Sequence, residues 1–174
     1  DDSHRLALDL LVRLGELPDL PPKMGFALDA GPAPVLSADP ADFRIERGAE
    51  AGGGGGLILR ADGRAAGCAL EPGAEIDRLI ELAHWFVQSG GPEAGRMARH
   101  AAPLPNWARG TPAAAPRPAL RPGPHPLGPA RGLPFGQVAA GDLDRAIRAS
   151  GAVALRLAPW RGVGAGGGPG GRPA

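Results

Sequence analysis

Leu57-Ile58-Leu59-Arg60-Ala61-Asp62-Gly63-Arg64-Ala65-Ala66-Gly67-Cys68-Ala69-Leu70 is the stretch from which the fold is read, with the run Ala74–Gln88 behind it. Leu57–Arg60 and Ala65–Leu70 have the length and apolar content of strands. Asp-Gly between two such runs signals a hairpin, because its turn needs positive φ. In the second run Ile76, Leu79, Ile80, Ala83, Phe86 and Val87 recur at helical spacing and make one apolar face. Gly90-Gly91-Pro92 stops that helix, and a short helix over Pro92–His100 follows. Strands first and a packed helix after them predict an α+β domain over residues 1–100.

Toward the N-terminus, Ser3 is placed to cap a helix, and Ala7, Leu10, Leu11 and Leu14 form its stripe. Gly15 and Pro18 end it, and the prolines of Leu17–Pro22 force an extended or turned chain. Lys23–Asp29 reads as a strand, with Met24, Phe26 and Leu28 on one face. Val35–Ser37 and Phe43–Arg47 read as two short strands around Ala38-Asp39-Pro40. The five glycines Gly52–Gly56 lack the Lys-Ser/Thr that ends a phosphate loop, and an expanded hairpin loop is expected there.

Toward the C-terminus, nine of the 21 prolines fall between Ala101 and Ala130, so residues 101–130 are expected to be a linker with polyproline character. Leu133–Val138, Gly141–Ser150 and Val153–Leu157 then read as strand, helix and strand. Leu143, Ala146 and Ile147 point inward, and a right-handed crossover is expected. One such unit cannot bury its own sheet. Seven glycines between Gly162 and Ala174 predict a flexible tail. Gly162-Val163-Gly164-Ala165-Gly166-Gly167 fits G-x-G-x-x-G, but no helix start follows to meet a pyrophosphate.

A net charge of +1 gives no bulk attraction to nucleic acid or anionic membrane. No apolar run approaches the roughly 18 residues of a membrane span, and Asp1-Asp2-Ser3-His4 has no basic n-region. Cys68 is the only cysteine, so no intramolecular disulfide can form and a cytoplasmic location is expected. Its neighbours Gly67 and Ala69 point to a buried, inert thiol. His4, His84, His100 and His125 are too far apart for a local metal site, and His84 borders the apolar face of its helix.

Two motifs carry a family resemblance. Leu20-Pro21-Pro22-Lys23-Met24-Gly25-Phe26-Ala27-Leu28-Asp29 resembles the strand that opens the first large domain in the nitrite/sulfite reductase superfamily, and its ending resembles the precorrin-3B synthase family in particular. Gly132-Leu133-Pro134-Phe135-Gly136-Gln137, continuing to Leu155-Arg156-Leu157-Ala158-Pro159-Trp160-Arg161, is similar to that family's second ferredoxin-like half-domain. The resemblance spans about residues 5–161, with the proline-rich stretch unmatched. It implies an internal piece of a longer enzyme. Residues 1–100 would be a nitrite/sulfite reductase-like α+β large domain. Residues 131–161 would be an incomplete ferredoxin-like βαβ half-domain, and 162–174 the tail.

The resemblance further implies a parent oxidoreductase of cobalamin biosynthesis that converts precorrin-3A to precorrin-3B with oxygen, a [4Fe–4S] cluster and a further iron. The partner is then a tetrapyrrole substrate rich in carboxylates, not a nucleic acid or a membrane. Lys23 and Arg161 match the family's basic positions facing the macrocycle, and cations suit such carboxylates. A catalytic residue is not assigned. A [4Fe–4S] site needs four thiolates, so no cluster or metal is expected on this chain, whose activity alone is expected to be nil. Gly25 stands where many reductases carry a second lysine, which argues against sulfite reduction. Two alternatives stay open: a piece of a sirohaem-dependent sulfite or nitrite reductase, and a truncated, non-catalytic α+β domain.

Overall fold

The computed structural model describes residues 2–49, 55–118, 121–125, 128–152, 154–158 and 161–166. The chain is a mixed α+β protein of two compact units, residues 1–117 and 118–174.

The first unit opens with helix α1 (Asp2–Val12), then strands β1 (Phe26–Asp29), β2 (Phe43–Arg47), β3 (Leu57–Ala61) and β4 (Ala66–Ala69), helix α2 (Glu75–Gln88), the single turn α3 (Gly91–Ala94) and strand β5 (Thr111–Pro112). The sheet order is β1-β2-β3-β4-β5, with β1 parallel to β2 and the other pairs antiparallel. The predicted hairpin is β3–β4. Gly63 takes φ 78° in its turn, as Asp-Gly requires.

The predicted face of α2 is the core of this unit. Ile76, Leu79, Ile80, Ala83 and Phe86 are buried with Phe43, Ile45, Leu59, Ala61 and Cys68 of the sheet. Phe43 stacks on Phe26 and meets Phe86 edge-on. Glu75 and Asp77 put negative charge at the positive end of α2. At its other end Ser89 Oγ donates to the Trp85 carbonyl, and Gly90 turns away at φ 87°.

Several expectations for this unit change, and the strand expected over Lys23–Asp29 starts only at Phe26. In α1, Leu6 and Leu10 are buried while Leu11 and Leu14 are exposed, so the inward stripe is shifted from the predicted one. Ser3 lies inside that helix, and its hydroxyl accepts from Ala30 N–H. Val35–Ser37 is no strand: Asp29 Oδ2 accepts the N–H groups of Val35 (2.6 Å) and Leu36 (2.8 Å) and curls the chain into a turn. Pro92–His100 breaks at Gly95, φ 70°, into α3 and a 3₁₀ turn, Met97–Arg99.

The largest difference concerns residues 101–117, which belong to the first unit instead of a linker. Leu104 and Trp107 pack on the core and Ala108 is buried. Arg78 of α2 lies over the Trp107 ring. Thr111 and Pro112 pair with Gly67 and Ala66 of β4. Proline is tolerated there because β5 is an edge strand, where a missing N–H costs no ladder bond.

The second unit contains β6 (Ala130–Gly132), α4 (Ala140–Ser150), β7 (Ala154–Ala158) and β8 (Gly162–Gly166). The expected Leu133–Val138 strand is displaced. The strand is β6, and Pro134–Gly136 forms a 3₁₀ turn with Phe135 at φ 55°. The partner strand that a lone βαβ unit needs is present. Gly162–Gly166, expected to be tail, lies between β6 and β7 and pairs antiparallel with both. The residues at 52–54 of the glycine run, Val153, Pro159, Trp160 and everything from 167 onward lie outside the described residues.

Candidate functional site

Lys23 stands just before β1, in a turn held from behind. Asp42 is fully buried, and its carboxylate accepts from Gly25 N–H (3.0 Å), Met97 N–H (2.9 Å) and Arg96 Nε (3.0 Å). Arg96 Nη1 also donates to the Lys23 carbonyl at 3.0 Å. The backbone at Lys23 is thus tied to two other segments at once, while the side chain is exposed and makes no ion pair among the described residues.

Arg161 belongs to the second unit, at the turn between β7 and β8. Its φ is 56°, a left-handed conformation unusual for arginine, and its carbonyl accepts Leu133 N–H at 2.7 Å. Its guanidinium is exposed and makes no ion pair among the described residues. Lys23 and Arg161 therefore share two properties, exposure and a free charge, on separate units.

The sheet's other face, away from α2, is charged rather than apolar. Arg44 lies directly opposite Arg60 in the β2–β3 ladder, a like-charge juxtaposition that costs energy by itself. Acids on the diagonals resolve it. Arg44 Nε donates to Asp62 at 2.8 Å, and Arg60 Nε donates to Glu46 at 2.5 Å. Arg44 also donates to the carbonyls of Leu36 and Asp39, and Arg47 to those of Ala30, Gly31 and Gly55. The loop between β1 and β2 covers these residues, so Arg44 and Glu46 are buried but fully partnered. No buried polar side-chain atom among the described residues lacks a partner, and this network therefore holds the loop and presents nothing to a ligand.

His100 is a buried histidine on the α2 side of the sheet. Its ring packs against Trp85 and Phe86, and Ser89 Oγ lies 2.7 Å from Nε2. Since the Ser89 hydroxyl donates to Trp85 O, the serine oxygen accepts from Nε2–H. Burial, and secondarily the charge of Arg64, push the His100 pKa below its ordinary 6.5.

Cys68 is buried in β4, and burial pushes its thiol pKa up. Among the described residues no group of three or more His, Cys, Asp or Glu side chains could hold a metal ion. The residues of this chain do not fit a [4Fe–4S] cluster: there is one thiol, buried and held protonated. His84 is exposed, with Nε2 3.0 Å from the Glu16 carbonyl, a boundary residue between α2 and the turn after α1. No helix among the described residues is long and apolar enough to cross a membrane.

Sequence spacing does not mark Asp42 or Arg96, because their contacts join residues more than fifty positions apart. No family model, no curated protein and no solved structure matches the chain.

Proposed function

We propose that this chain is a piece of a tetrapyrrole-acting oxidoreductase of the precorrin-3B synthase type, and that it supplies carboxylate-binding surface instead of the redox centre. The observation that carries this reading is Lys23: an exposed ammonium with no acid partner among the described residues, on a backbone pinned by Asp42 and Arg96. A free cation on a rigid base suits an anionic ligand, because little order is lost when the ligand binds. Arg161 offers a second such cation, whose planar fork can hold a carboxylate through two hydrogen bonds. The strand order β6-β8-β7 also supports the reading, since a ferredoxin-like sheet begins with a βαβ unit split by an antiparallel strand. The parent reaction is the oxidation of precorrin-3A to precorrin-3B, with the iron–sulfur cluster and iron held by residues other than these. Gly25 in place of a second lysine disfavours the sirohaem reductase reading.

The test is a titration of the whole chain with uroporphyrin, an octacarboxylate tetrapyrrole, followed by its Soret band. Saturable binding is expected, and Lys23→Ala should weaken it about tenfold, the loss of roughly one charge-assisted contact. The competing reading is a non-catalytic α+β domain. It draws on the internal pairing of the buried polar side chains among the described residues. Absence of saturable binding, or unchanged binding in Lys23→Ala, would establish it over the first.

A further inference from the structure

Between α4 and the three-stranded sheet of the second unit lies an open cleft of about 240 Å³. Leu143, Ala146 and Ile147 line it from the helix, and Leu133, Leu155 and Val163 from the sheet side. The two layers do not close on each other, for no residue of α4 is buried. That volume, many times the space one water requires, leaves room for a short apolar chain.

The polar members of the lining decide what such a ligand would carry. Asp142 is paired with Arg145, and Ser150 Oγ donates to the Ile147 carbonyl. Arg131 alone has no acid partner among the described residues. Its position is also unusual for a cation. Arg131 pairs with Val163 across the β6–β8 ladder, and paired residues share a face. Val163 is buried and lines the cleft. Arg131 therefore stands on the side of the sheet that faces the helix, where alternation ordinarily places an apolar residue. An apolar trough with one uncompensated cation at its wall is complementary to an apolar molecule with one negative end.

We infer that this cleft is a binding site for a small amphiphilic carboxylate, whose hydrocarbon portion lies under α4 and whose carboxylate meets Arg131. The site is independent of Lys23 and Arg161, and of the tetrapyrrole reading. It is tested by amide chemical-shift titration of the whole chain with octanoate and, separately, with the neutral 1-octanol. Saturable octanoate shifts confined to β6, α4, β7 and β8 are expected, with octanoate binding more tightly than 1-octanol. Arg131→Gln should weaken octanoate about tenfold, one charge-assisted hydrogen bond, and leave 1-octanol unchanged. Ala146→Phe, which fills the trough, should abolish both. Non-saturating shifts overturn the proposal, as does equal affinity for the two ligands in the unaltered chain. Octanoate binding that survives Ala146→Phe also overturns it. The comparison in the unaltered chain decides the matter even if a variant fails to fold.

Discussion

Gly67 shows how closely two strands can be fitted by a missing methyl group. A Cβ there would stand 2.1 Å from the carbonyl oxygen of Leu59 and 2.7 Å from its carbonyl carbon. Backbone cannot give way as a flexible side chain can, so Gly67→Ala should force β3 and β4 apart at a cost of about 1–3 kcal/mol. Urea unfolding measures this as a lower midpoint, and an unchanged midpoint would mean that the strands do not approach so closely. His100 gives a second prediction at this scale. The unfolded chain binds a proton near 6.5, whereas the folded chain resists it to lower pH. The associated stability is fully present above 6.5 and is lost as pH falls through the depressed folded value. Unfolding curves from about pH 7 to about pH 5 should therefore show a decline that His100→Gln, which cannot titrate, reduces. The burial of Cys68 could be read from its neighbours in sequence. The burial of Arg44 and Glu46 could not, because Phe43-Arg44-Ile45-Glu46-Arg47 alternates like a strand with one wet face. The loop after the Asp29 turn caps Arg44 through the carbonyls of Leu36 and Asp39, and Glu46 is paired by Arg60.

Elements with a strong local signal form where the sequence places them. The α2 helix has six apolar residues on one face and a glycine stop, and the β3–β4 hairpin has Asp-Gly at its turn; both signals are complete within about thirty residues. Signals that depend on distant partners were weaker guides. Helix α1 carries leucines and valine on two faces, Leu6 and Leu10 inward and Leu8, Leu11 and Val12 outward, so spacing alone gives two admissible stripes. Apart from Val163, strand β8 is glycine and alanine and carries little β-propensity of its own. Its place between β6 and β7 supplies hydrogen bonds on both sides, and that tertiary context overrides composition.

At the scale of the whole chain, the boundary of the first unit falls at Arg117 and not near His100. The residues in between contribute Leu104, Trp107 and Ala108 to the core and β5 to the sheet. A chain ended after Arg117 should therefore melt at the temperature of the first unit in the full chain. One ended after His100 should lose about 2–4 kcal/mol, from the partly buried Leu104 and Trp107 and the buried Ala108. Thermal scans monitored by circular dichroism distinguish the two, and equal melting of both truncations would return the segment to the role of a linker. Proline content concealed this because it excludes interior strand and helix while allowing an edge, and the sequence does not say which strand is an edge. The same strap sets an order of events during synthesis. Residues emerge from the N-terminus onward, so α1, the first four strands and α2 are outside before Trp107 and Thr111 appear. Until then the Trp107 side of α2 and the open edge of β4 face solvent, so an apolar patch and an unpaired strand edge are exposed together on the emerging chain.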